Sequence, residues 1–165
     1  MPKLKATERD QFLQEPGVVM RIAVVRADGS PLVTPIWFIH ENNAIYFTPR
    51  EKSEWFNCLR RDPRVALSID EQVMPYRKVL VEGAAELVHD VGEDDDWREL
   101  YSRIAQRYVG IEGARQYIHN TIDQPRGLYR VAIGDATMVT WRMPVEGEAS
   151  MGIWASRYYV PGTDF

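Results

Sequence analysis

Apolar and polar residues alternate with a period of two along much of the chain, and the period lengthens toward that of a helix in a few separate stretches. In residues 18–26, Met20, Ile22 and Val24 fall on one side and Arg21, Ala23 and Val25 on the other. Asp28-Gly29 then gives a hairpin signal, and residues 31–40 form the returning strand. Glu41-Asn42-Asn43 turns the chain again into a strand at 44–48, so the pattern predicts a three-stranded antiparallel meander. In residues 65–70, Val65, Leu67 and Ile69 alternate with Ala66, Ser68 and Asp70, a strand with one buried face. Residues 76–89 read as the longest strand, with a bulge or sharp bend at Gly83. A last hairpin pairs 128–133 with 136–142 around Gly134-Asp135.

The helical stretches are short or late. Residues 1–15 predict a short helix that ends at the breaker Glu15-Pro16-Gly17, and 52–61 a compact one closed by Asp62-Pro63. An acidic lead-in at 92–96 suits a helix N-terminus, and Trp97, Leu100, Tyr101, Ile104, Ala105, Tyr108 and Val109 then follow at helical spacing. A second helix over 112–122 carries Ala114, Tyr117, Ile118 and Ile122 on one side. This aromatic stripe reads as core or interface. The sum is a mainly β fold with α insertions: six or seven antiparallel strands in a closed or split barrel, with a helical pair before the last hairpin. The chain reads as a single domain over 1–165, its barrel core at about 18–142 and a tail at 143–165, rich in Gly, Pro and aromatics (Trp154, Tyr158, Tyr159), docked onto it.

Composition narrows the chemistry. A chain of 165 residues is long enough for one substantial core, and its 45% hydrophobic and 27% charged content is that of a globular protein. Its formal charge of −4 supplies no overall drive toward nucleic acid or an anionic membrane. Cys58 is the only cysteine, and His40, His89 and His119 show no metal-ligand spacing, so neither an intrachain disulfide nor a metal site is expected. The polar N-terminal stretch lacks the apolar segment of a signal peptide, and no apolar run approaches the roughly 20 residues of a membrane span. A cytoplasmic protein is expected.

The candidate chemistry lies in the turn between the third strand and the compact helix. Thr48, Arg50, Lys52 and Ser53 place two cations and two hydroxyls within six residues, beside a helix N-terminus whose backbone N–H groups favour an anion. The turn suits a phosphate. Pro35 interrupts the ladder of the 31–40 strand and leaves backbone groups there outside regular pairing, or marks that strand as an edge.

These elements occur in the order found in the pyridoxamine 5′-phosphate oxidase-like flavin-binding split barrels. The resemblance rests on 24–38, with its Asp-Gly hairpin followed by Pro-Leu-Val-Thr-Pro-Ile-Trp-Phe, and on 45–48, 59–67, 76–83 and 139–142. It implies a homodimer with FMN at the interface. Carried over residue by residue, it implies a phosphate-binding turn at Thr48, Arg50, Lys52 and Ser53. It implies further that a strand of Val33, Thr34, Pro35, Ile36 and Trp37 lines the flavin ring and that Arg77, Trp141 and Arg142 lie near the cofactor. The chain departs from many relatives in placing Trp55 where they carry a phosphate-binding lysine. The function implied is a flavin-dependent oxidoreductase acting on a small organic molecule by hydride transfer through the flavin. The alternatives on the same fold are a deazaflavin-dependent reductase, or a flavin or haem binder without catalysis. Haem would require His40, His89 or His119 as an axial ligand. No residue reads as a catalytic acid, base or nucleophile.

Overall fold

The computed structural model describes residues 1–149 and 159–163. Nine strands among them form two antiparallel sheets rather than one closed barrel. The first sheet has the order β2-β1-β5-β6-β9, built from β1 (Met20–Val25), β2 (Pro31–Ile36), β5 (Arg64–Asp70), β6 (Lys78–Ala84) and β9 (Thr137–Trp141). The second has the order β3-β4-β8-β7, built from β3 (Ile39–Glu41), β4 (Ala44–Phe47), β7 (Glu86–His89) and β8 (Leu128–Ala132). The three helices are α1 (Ala6–Gln14), α2 (Glu54–Arg61) and α3 (Arg98–Asn120).

The seven strands expected from the alternation are present, but two of them bend from one sheet into the other. The 31–40 stretch breaks at Trp37-Phe38 into β2 and β3, which places β1–β2 and β3–β4 in different sheets and divides the expected meander. Side chains of α3 replace the ladder at the break. The Phe38 N–H donates to Tyr108 Oη at 3.1 Å, and Arg107 donates to the Phe38 carbonyl at 2.6 Å. The second guanidinium nitrogen of Arg107 donates to the carbonyls of Leu13 and Glu15, tying α1 to the same corner.

The 76–89 stretch begins as a strand only at Lys78, because Tyr76 sits at a positive φ of 55°, and it breaks at Ala85 into β6 and β7. Gly83 stays in register opposite Val65, so it is not the bend. A Cβ there would meet that of Ala136 at 3.1 Å, which makes Gly83 a point of close approach.

Hairpin chemistry is local and agrees with the sequence. Gly29 has φ 84°, and the Asp28 carboxylate accepts from the Ser30 N–H and hydroxyl. Asn42 and Asn43 both take positive φ in the two-residue turn from β3 to β4. The inner faces of the two sheets meet in one core with Phe12, Met20, Ile22, Phe38, Ile45, Phe47, Leu67 and Ile69 fully buried. Within α3, Gly110 takes φ 71° and ψ 176°, a conformation open essentially only to glycine, and divides the helix into the expected pair. Trp154 and Tyr158 of the expected docked tail lie outside the described residues.

Candidate functional site

The turn after β4 is zipped to the segment that leads into β8. The Glu51 N–H donates to the Pro125 carbonyl at 3.0 Å and the Gly127 N–H to the Pro49 carbonyl at 3.1 Å. Arg50 and Arg126 face each other between these bonds as an antiparallel bridge. Ser53 caps α2: its hydroxyl donates to the Arg50 carbonyl at 2.7 Å and accepts from the Phe56 N–H. The turn is thereby fixed by its own backbone, which leaves the side chains of Thr48 and Arg50 to face a cleft.

That cleft has a volume of about 260 Å³. One wall is Pro35, Ile36 and Trp37 at the end of β2; another is Thr48, Arg50, Ser53 and Trp55. The helical insert contributes Tyr101, Ile104 and Tyr117, and Arg126 comes from the approach to β8. Trp37 is stacked on Tyr108, with ring centroids 5.1 Å apart and 3° between planes, and meets Tyr117 at 5.0 Å. The insert therefore holds the wall formed by the β2–β3 break.

Two cations converge inside. Arg50 donates to Tyr117 Oη at 3.1 Å and Arg126 donates to the same oxygen at 3.3 Å. The Arg126 guanidinium lies 4.6 Å from the centroid of the Tyr101 ring, and the residue is only 5% exposed. Its Nε has no acceptor, and neither arginine is ion-paired with a carboxylate among the described residues. The adjacent Asp94 carboxylate accepts from the Arg126 backbone N–H at 3.0 Å and not from the guanidinium. A buried guanidinium with no direct carboxylate partner is costly, and an anion placed between the two would reduce that cost.

The arginines act on the phenol they share. Burial pushes the Tyr117 hydroxyl up, but the Arg126 charge and hydrogen bonding from Tyr101, Arg50 and Arg126 outweigh it and leave the group below the ordinary tyrosine value. Tyr101, more deeply buried, is pushed up by that burial. The arrangement can hold an oxyanion beside an apolar wall.

Of the residues expected at the site, Pro35, Ile36, Trp37, Thr48, Arg50 and Ser53 are brought together in the cleft. Lys52 is not. It lines a neighbouring hollow that shares Arg50 and Ser53 with the cleft. Val33 projects outward on β2 at 60% exposure, and Thr34, half-buried, pairs with Ile22. Trp55 lines the cleft and packs against Phe47, with ring centroids 6.1 Å apart.

Three others lie elsewhere in this chain. Arg77 is gripped by Glu15 and Glu71 at 2.6 Å each, which joins the end of α1 to the β5–β6 loop. Arg142 is held by Glu8 at 2.8 Å and Glu148 at 2.6 Å. Trp141 is buried at the end of β9 under the Lys78 ammonium, 4.3 Å from its ring.

The cleft's strongest features, Arg126 and Tyr117, were not expected there. Arg126 stands in a Pro-Arg-Gly breaker, and Tyr117 reads as one more apolar position on a helix. The available signal was a cation two residues before the buried start of β8 at Leu128-Tyr129. None of the three histidines lines the cleft. His40 is buried with both ring nitrogens unpartnered and its pKa pulled down by that burial, while His89 is bonded to Glu93. No group of three or more potential metal ligands occurs among the described residues.

The sequence profile of pyridoxamine 5′-phosphate oxidase matches residues 6–140. The chain belongs to the pyridoxamine 5′-phosphate oxidase family. Solved structures share its fold. One is a conserved hypothetical protein from Mycobacterium tuberculosis, 22% identical, with TM-score 0.67, covering 93% of this chain and 94% of that one. An FAD and haem binding protein from Mycobacterium smegmatis is 17% identical, with TM-score 0.61, covering 98% of this chain and 91% of that one. An F420 reductase is 24% identical, with TM-score 0.52, covering 82% of this chain and 93% of that one. At these identities the likeness is one of fold. A search of the curated proteins found no match.

Proposed function

We propose that this protein is a flavin-dependent oxidoreductase that holds a phosphate-bearing flavin or deazaflavin in the cleft between the β2–β3 break and the helical insert. The observation that carries the proposal is the pair Arg50 and Arg126, which meet on Tyr117 Oη with no carboxylate partner among the described residues. Charge-assisted hydrogen bonds from guanidinium to phosphate are strong and geometrically specific. Thr48 and Ser53 add hydroxyls on the same wall, and Pro35, Ile36 and Trp37 supply the apolar wall that a planar ring system needs. Lys52 stands outside this set.

When bound, the flavin would supply the hydride chemistry. The chain's own residues bind the phosphate, fix the ring plane and keep water from the apolar wall. Family membership and the fold shared with flavin and deazaflavin proteins support this reading. The cleft is smaller than the roughly 300–1,000 Å³ of ordinary small-ligand sites. Part of the cofactor would therefore lie beyond it, against a second copy of the chain in a homodimer.

The test is the visible spectrum of the purified protein with and without added cofactor. Flavin bands that persist through desalting in the wild type and are lost in Arg50→Ala support the proposal. A colourless protein that takes up neither FMN nor a deazaflavin contradicts it.

A further inference from the structure

Two like charges repel, so a pair of guanidiniums in one cleft needs an acceptor to gather them. Here that acceptor is a phenol. Tyr117 comes from the second half of α3, turned into place by Gly110, and its Oη accepts from Arg50 at 3.1 Å and from Arg126 at 3.3 Å. Two other acceptors nearby are engaged elsewhere. The Asp94 carboxylate takes the Arg126 backbone N–H, and the Ser53 hydroxyl serves the Arg50 carbonyl and the cap of α2.

The chemistry of the shared acceptor decides what the pair does next. A carboxylate in its place would hold both cations and cancel one of their charges. A protonated phenol oxygen accepts the same bonds and carries no charge, so the pair keeps its full attraction for an anion. The bonds to Tyr117 use only part of each guanidinium, and the buried Nε–H of Arg126 has no partner. Donors gathered before the ligand arrives bind it at a lower entropic cost.

We propose that Tyr117 is a positioning residue for the anion site, its neutral hydroxyl gathering Arg50 and Arg126 into one phosphate-binding pair without spending their charge. This rests on the phosphate reading above and adds the residue of the helical insert that sets its strength.

The same geometry makes the site sensitive to alkali. Tyr117 Oη is faced by Arg50 from the turn after β4, by Arg126 from the approach to β8 and by Tyr101 from the first half of α3, and Trp37 of the β2–β3 break lies against its ring. None of these is a carboxylate. Ionisation of the phenol therefore puts a negative charge between the two arginines, where it opposes that of a bound phosphate.

Equilibrium dialysis of the cofactor-free protein against FMN and riboflavin tests this in the wild type, Tyr117→Phe and Arg50→Ala. Riboflavin lacks the phosphate and reports any general disturbance of the cleft. Tyr117→Phe weakens FMN at least fivefold and riboflavin less than twofold. In the wild type FMN affinity falls at least threefold relative to riboflavin as the pH is raised through the ionisation of Tyr117, and in Tyr117→Phe that fall is absent. FMN affinity unchanged or increased in Tyr117→Phe, the two ligands weakened alike, or an alkaline fall that persists in Tyr117→Phe overturns the inference. The phosphate reading survives each of these results while the wild type prefers FMN and Arg50→Ala abolishes the preference. Binding of neither ligand, or equal binding of both by the wild type, removes the phosphate reading and this inference together.

Discussion

Arg126 is the residue on which the site turns. Its guanidinium is buried against Tyr101 and, among the described residues, is hydrogen-bonded to a phenol that it shares with Arg50. Replacing a buried, unpaired charge with an apolar side chain of similar length is often neutral or stabilising. Arg126→Met should therefore leave the melting temperature of the cofactor-free protein unchanged or raise it, while weakening cofactor binding at least tenfold by dialysis. A large loss of stability without loss of binding would make Arg126 a structural residue. Tyr117 gives a pH-dependent counterpart. Its phenol titrates below the ordinary value of about 10. A group whose folded pKa is depressed contributes stability above its unfolded pKa, and this is lost as pH falls through the folded value. The stability of the cofactor-free wild type relative to Tyr117→Phe should thus rise as pH increases into the alkaline range. The difference absorbance of the two proteins should show one tyrosine ionising early. A tyrosine that titrates normally would contradict the convergence of both arginines on it.

Among the elements, α3 does the most for the cleft, and Gly110 lets it do so. The first half of the helix carries Tyr101, Ile104, Arg107 and Tyr108; the second, turned by Gly110, brings Tyr117 over Arg50 and Arg126. Any side chain at φ 71°, ψ 176° is strained by roughly 1–3 kcal/mol. Gly110→Ala should lower stability by about that amount in urea unfolding and weaken cofactor binding through Tyr117, whereas normal binding would show that the two halves are set independently. This is also where the sequence was least legible. Period-two alternation located all seven strand stretches, and Asp28-Gly29 and Asn42-Asn43 announced their turns. The breaks at Trp37-Phe38 and Ala85 carry no turn residue, because side chains from α3 and packing between sheets impose them. Likewise the turn at 48–53 was readable as one local run of cations and hydroxyls. Arg126 and Tyr117 join it only through the backbone bonds at Pro49 and Pro125 and the kink at Gly110, contacts that no local pattern encodes.

At the scale of the molecule, β2 closes one side of the first sheet as an open edge, with Val33 60% exposed two residues before Pro35 of the cleft wall. Pro31 and Pro35 blunt strand pairing along this edge, so the exposed Val33 side chain is a surface for packing rather than for extension of the sheet. Light scattering should give a particle of twice the 19.1 kDa chain, and Val33→Asp should shift it toward the monomer and weaken cofactor binding without unfolding it. A monomeric wild type with full cofactor affinity would refute the dimer. No helix among the described residues is long and apolar enough to cross a membrane, and the formal charge is −4. The molecule's charge thus gives no general attraction for an anion, and the cleft must supply it locally.

The central claim is that Arg50 and Arg126 bind a phosphate, and FMN against riboflavin tests it most directly, since the two differ only by that group. Two charge-assisted bonds at about 1.5–3 kcal/mol each correspond to roughly a hundredfold preference or more. The wild type should bind FMN at least a hundredfold more tightly than riboflavin by dialysis, and the preference should collapse in Arg50→Ala combined with Arg126→Met. Equal affinity for the two ligands, or a preference that survives both substitutions, would contradict the account.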